Sequence, residues 1–176
     1  MARGEMIRRF SKYLRATAGA ATVEFIIIFP VLIWIVFSTF ELGWITTRQM
    51  MLDRSVSLTI RDLRLGKIPN PTHDGLKELV CERATILRDC IDNIHMELVP
   101  MDEHSGIPQT STQCVDRTGE IEPVESFNSG TASEVMFVRV CVVVDPLMPG
   151  MGVGAGLKLN GGGFAMVAFS AFKREP

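Results

Sequence analysis

From Phe25 to Phe40 the chain reads FIIIFPVLIWIVFSTF, without a single charge. No other feature restricts the fold as strongly, because a run that is apolar all round must be covered on every side, by protein or by lipid. With Leu42 to Ile45 included it extends to about 20 residues, enough helix to cross roughly 30 Å of hydrocarbon. That is too long for the apolar core of a secretory signal peptide. Glu41-Leu42-Gly43-Trp44 also lacks the small-residue pattern that such a cleavage site needs. The segment is therefore read as a retained transmembrane helix.

The helical signal continues past the apolar run. Leu42, Ile45, Gln49, Leu52, Val56, Ile60 and Leu63 recur at steps of three and four, forming one stripe, while Asp53, Arg54, Arg61, Asp62 and Arg64 occupy other faces. Gly66, Pro69 and Pro71 stop the pattern. The spacing predicts one helix from about Ala21 to Leu65, roughly 65–70 Å long at 1.5 Å per residue. Its first half is apolar all round, and its second half is amphipathic and needs a cover. Pro30 has no N–H, so the Ile26 carbonyl loses its helical partner and the helix is expected to bend or loosen there. Two carboxylates flank the apolar run, Glu24 at one lip and Glu41 at the other, and each loses hydration beside hydrocarbon. Glu41 is read as reaching the outer interface, with pairing to another subunit as the alternative.

Charge is distributed unevenly. Arg3, Arg8, Arg9, Lys12 and Arg15 stand against a single acid, Glu5, ahead of the apolar run. Removing them from the chain's 18 basic and 20 acidic residues leaves 13 against 19, an acidic remainder. Basic residues beside a transmembrane helix favour the cytoplasmic side, so the leader is expected inside and the rest outside. After residue 20 the Lys and Arg are scattered among acids, which is a solvated surface and not a nucleic-acid footprint.

Between the basic leader and the apolar run lies Gly19-Ala20-Ala21-Thr22-Val23-Glu24-Phe25. This resembles the class III signal of type IV pilins and pseudopilins, G-x-x-x-x-E-[FY] followed by an apolar helix with an early proline. It is most similar to the version in TadE-like proteins of the tight-adherence pilus. Gly19, Glu24, Phe25 and Pro30 fill the motif, and the resemblance is specific over about residues 15–65. It implies cleavage by a prepilin peptidase between Gly19 and Ala20, leaving Glu24 as the fifth mature residue. A small residue before the scissile bond lets the backbone enter a cleft, and the basic leader holds to an anionic membrane surface. The freed Ala20 amine and the Glu24 carboxylate, one turn apart or on neighbouring subunits, would then share the cost of burial. Ile26, Ile27, Ile28, Leu32, Ile33 and Val36 would pack against other spines. The resemblance further implies a minor pilin-like subunit of pilus assembly, since the major pilins of this system are much shorter. Its implied partners are the peptidase, other pilins or pseudopilins, the inner-membrane assembly platform and membrane lipid. A single-pass, inner-membrane-anchored periplasmic binding or scaffold protein is the alternative from another class. A type II secretion pseudopilin is disfavoured by Ala20, where Phe is usual.

The expected organisation is a leader over 1–19, a transmembrane helix over 20–45, its periplasmic extension over 46–66, and a periplasmic head over 67–176. The fold class is α+β, a long helix with a small head of mainly antiparallel sheet. Thr72 is placed to cap a second helix that buries Leu76, Leu79, Val80, Ala84 and Leu87 and ends near Asp89-Cys90. Strands are expected over Ile94–Val99, Val135–Val144 and Phe164–Phe172, with a long polar excursion over 101–133. Cys81, Cys90, Cys114 and Cys141 all follow the apolar run, where an oxidising compartment allows two disulfides in any of three connectivities. Cys81–Cys90 with Cys114–Cys141 is preferred.

No enzyme chemistry emerges. No pair of cysteines has zinc-ligand spacing, and His73, His95 and His104, set in polar segments, form no cluster with them, so neither metal nor cofactor is expected. Asp102-Glu103-His104 reads as a solvated loop, and Glu78 and Glu82 as a wet helix face near Arg83. The sole tyrosine, Tyr13, lies in the leader. Pro149 to Gly156 contains GxGxG, but Pro146 and Pro149 intervene after the strand and no helix follows. It is read as a flexible, partner-facing loop, with Gly161-Gly162-Gly163 as a second turn.

Overall fold

A computed structural model of the chain describes residues 20–101, 114, 117, 127, 128, 130, 133–157 and 163–173. The leader with Gly19 and Tyr13, the Asp102-Glu103-His104 triplet, Gly161 and Gly162 lie outside those residues, as does most of 101–133.

Helix α1 spans Ala20–Arg64, 45 residues and about 67 Å, and continues through Pro30. Its end is built by Gly66, whose φ of 65° suits a residue without Cβ. Gly66 N–H bonds Leu63 O and Lys67 N–H bonds Asp62 O, which satisfies carbonyls left over at the last turn. Helix α2 spans His73–Arg83, with the Thr72 hydroxyl accepting the Gly75 N–H at its start. A one-turn helix α3, Cys90–Asn93, leads directly into strand β1, Ile94–Pro100. Strands β2, Val135–Val144, and β3, Phe164–Lys173, complete an antiparallel sheet of order β1-β2-β3. All three strands lie within a residue of where β-branched and apolar patterning put them. The α+β class holds.

Alternation along the strands sets the core. Met96 pairs with Val140 and Ala168 with Val140 from the other side; Ile94 and Met166 flank Val142 in the same way. These side chains share one face, and they form a single buried cluster with Leu52, Val56 and Ile60 of α1 and Leu76 and Val80 of α2. The sheet therefore covers only the second half of α1. Ser55 and Thr59, also buried there, return their hydroxyl bonds to Leu52 O and Ser55 O of the same helix.

Four expectations need correction. Helix α2 stops at Arg83, six residues early. Continued to Cys90 it would separate that residue from Cys81 by about 13 Å along the axis, whereas the disulfide joining them needs the observed Cα–Cα distance of 5.6 Å. Leu87 is buried all the same, carried by a turn in which its N–H bonds Ala84 O. Leu42 is exposed although its neighbour Glu41 is buried, so it lies on the uncovered side of α1. His95 is not in a wet segment: it is buried on the sheet face that carries Cys141 and its disulfide to Cys114, with Nε2 3.8 Å from Glu97 Oε1. His73 is half-buried, its Nε2 2.9 Å from Met96 O. Glu78 and Glu82 are exposed, as the sequence suggests, while Arg83 donates to Asp62 of α1 at 2.6 Å.

Candidate functional site

The first half of α1 presents an apolar cylinder. Val23, Phe25, Ile26, Ile27, Ile28, Leu32 and Trp34 are all more than half exposed, Val36 is exposed and Ile33 half-buried. Phe25 stacks on Phe29 with ring centroids 4.9 Å apart. The helix is long and apolar enough to cross a membrane, and none of its most apolar stretch is buried by the head. Glu24 stands one turn from Ala20 and is exposed. Among the described residues, none is placed to bond or pair with it. What this end can do chemically is narrow: it offers a lipid- or helix-compatible surface interrupted by one acceptor-only group.

Glu41, at the other end of the run, is treated differently. Only 1% of it is exposed. Its Oε1 accepts the Leu147 N–H at 2.8 Å, and its Oε2 accepts the Met148 N–H at 3.0 Å. The alternative reading of Glu41 as a partner for another subunit gives way: the carboxylate is used within its own chain. The donors reach it because Asp145-Pro146 ends β2 and sends the chain back along α1. The Pro149–Gly156 segment, read as free loop, packs on the helix instead. A Cβ on Gly152 would fall 2.6 Å from Ser38 Oγ, and one on Gly154 would sit 3.5 Å from the Glu41 carboxyl carbon. Glycines permit that approach, and the φ of 57° at Gly152 would strain other residues.

Around Glu41 the contacts knit helix to head. Arg48 Nη1 donates to Asp145 O at 2.8 Å, and its guanidinium lies 5.0 Å over the Trp44 ring. Burial pulls the Arg48 pKa below its ordinary value, while the charges of Glu41 and Asp145 push it back up. The next residue, Gln49, donates through Nε2 to Val167 O at 2.9 Å, occupying a carbonyl of strand β3. Arg117 ties Asn93 Oδ1, Asp145 Oδ1 and Val143 O together at 2.6–2.7 Å.

Residues 19–61 match the family model described as TadE-like protein. This segment of the chain is TadE-like. The match runs from Gly19 almost to the end of α1, so it takes in Ala20, Glu24, Phe25, Pro30 and Glu41 together with most of the covered stripe. No curated protein and no solved structure matches the chain. The four cysteines lie beyond the TadE-like segment, in the head, joined as Cys81–Cys90 and Cys114–Cys141, the pairing preferred from the sequence.

Proposed function

We propose that the chain is a minor pilin-like subunit of a tight-adherence pilus, released from its leader between Gly19 and Ala20 by a prepilin peptidase. It then acts by packing its bare helix against the spines of other subunits. The observation that carries this reading is Glu24: an exposed carboxylate on an apolar helix, one turn from the expected new N-terminus, without a partner among the described residues. A lone carboxylate in hydrocarbon is expensive, and an ammonium from the same or a neighbouring spine removes most of that expense. Such a pair fixes register along a stack of otherwise featureless apolar helices. The five basic residues of the leader support a cytoplasmic N-terminus at the inner membrane, and the two disulfides support a periplasmic head. Other pilins, the assembly platform and lipid are the partners this surface suits.

Sequencing the N-terminus of the membrane-resident protein tests the processing step. Ala-Ala-Thr-Val-Glu is expected, and an intact leader would overturn it. Gly19→Trp should leave only the longer form. Glu24→Ala should insert and be processed normally yet fail to support piliation, whereas normal piliation in that variant would remove the charge-pairing role.

A further inference from the structure

The segment from Pro146 to Leu157, PLMPGMGVGAGL, contains no charge and does not sit up with the head. Gly152 meets α1 at Ser38, six residues before Trp44, which is about 9 Å along the axis. From Glu24 to Trp44 the helix rises about 30 Å, the thickness of a bilayer's hydrocarbon, and an indole suits the interface. If α1 spans the bilayer as proposed above, this loop reaches below the level of Trp44, alongside the spanning helix. Its exposed side chains are apolar there, Leu147 at 52% and Met151 at 47%. An open groove lined by Thr39, Phe40, Gly43, Trp44, Thr47 and Leu147 separates it from one flank of the helix.

We propose that Pro146–Leu157 is a second membrane element, a wedge that enters the acyl-chain region of the leaflet on the head's side and is moored there by the Glu41 carboxylate. Lipid, and not water, is the occupant of its exposed face, because that face continues the bare apolar surface of α1, interrupted only by Thr39 and Thr47, whose hydroxyls donate to Val36 O and Gly43 O. Irregular backbone survives at such depth only where its polar groups are bonded. Several of this loop's backbone groups meet that condition. Pro146 and Pro149 carry no N–H to satisfy. The N–H groups of Leu147 and Met148 go to Glu41, that of Met151 to Met148 O, and that of Gly156 to Val153 O. Glu41 therefore has a reason to be in the membrane segment that is independent of any other subunit. A head moored at two points cannot swivel freely about α1, which would hold its sheet at a fixed attitude to the membrane.

The experiment uses the full chain in phosphatidylcholine–phosphatidylglycerol vesicles carrying brominated acyl chains. One variant combines Trp34→Phe, Trp44→Phe and Met151→Trp; a second retains Trp34 as its only indole. Bromolipid is expected to quench both, with the position-151 indole largely protected from aqueous iodide and losing that protection when Glu41→Ala is added. Quenching of Trp34 but not of position 151, with iodide reaching the latter, overturns the wedge and leaves the spanning helix standing. Protection of position 151 from both quenchers also overturns it, since the face is then covered by protein such as a second copy. Absence of lipid quenching at both positions overturns the spanning reading along with the wedge. Leu147→Trp repeats the measurement at a second position should Met151→Trp disturb the turn.

Discussion

The two halves of α1 are one unbroken helix under opposite rules. Beyond Trp44, Leu52, Val56 and Ile60 are sealed beneath a three-stranded sheet, and even Ser55 and Thr59 are buried. Before Glu41, side chains just as apolar stand bare. The same contrast holds for the two carboxylates. Glu41 is enclosed and bonded to two backbone N–H groups of its own chain, while Glu24 is exposed with nothing among the described residues to meet it. Removing apolar surface from water stabilises the covered half, but lipid is as apolar as leucine and gives the bare half no such gain. In the proposed assembly, what holds the bare half comes from packing and polar pairing with other helices. A fold complete at one end of a helix and open at the other suits the assembling subunit proposed above.

The same truncation placed in each half gives the largest predicted contrast. Leu52 is fully buried, so Leu52→Ala should destabilise the head by about 2–5 kcal/mol. Leu32→Ala removes the same atoms from a half-exposed site and should leave head stability within about 0.5 kcal/mol of the parent. Urea unfolding of the detergent-solubilised protein, followed through the head's β-sheet signal, measures both. Equal losses would mean that the halves are not energetically separate.

Next in size is the effect of Glu41→Ala, which leaves two enclosed N–H groups without an acceptor, a loss of about 1–3 kcal/mol. It should appear as local opening of the loop and not as unfolding of the sheet. The Leu147 and Met148 amides are expected to exchange roughly 10- to 100-fold faster, with the core amides of β2 unchanged. Glu24→Ala, by contrast, should change no amide in the head. Unchanged exchange at Leu147 and Met148 in the Glu41 variant would erase the distinction between the carboxylates.

Much of this architecture is legible in the sequence because it is periodic. The three-four spacing of Leu52, Val56, Ile60 and Leu63 announces the covered stripe, and VMFVRVCVVV announces β2. The motif around Gly19 and Glu24 is local and is read directly. Glu41 is not, because its donors lie 106 and 107 residues away in a glycine-rich segment with no pattern that points back to α1. Only the path of β2, reversed at Asp145-Pro146, brings them together. His95 escaped for a related reason. Alternation along IHMELVP suggests one wet face, but β1 is buried on both faces from Ile94 to Leu98. The early end of α2 follows from the Cys81–Cys90 bond, and nothing in the helical propensity of Ala84 to Leu87 signals it.

The smallest predicted effect concerns how the covered half is fastened to α2. Asp62 accepts from Arg83 at 2.6 Å and pairs with Lys67 at 3.4 Å, and the Arg83 bond leads the causes that hold its pKa below the ordinary 3.8. A carboxylate whose pKa is lower in the folded state adds stability that is present above the unfolded-state value. That stability disappears as pH falls through the folded-state value. The pair is partly exposed, so salt and water screen it and the gain is modest. Asp62→Asn should therefore unfold at slightly lower urea than the parent at neutral pH, and the gap should narrow as the pH falls below 3.8 and close beneath the lower folded-state value. Because the bare half of α1 has no such link to the head, Glu24→Gln should show no gap at either pH. A gap for Asp62→Asn that persists undiminished in acid would mean that its contribution is packing, not charge, and that α2 is held to α1 by the buried cluster alone.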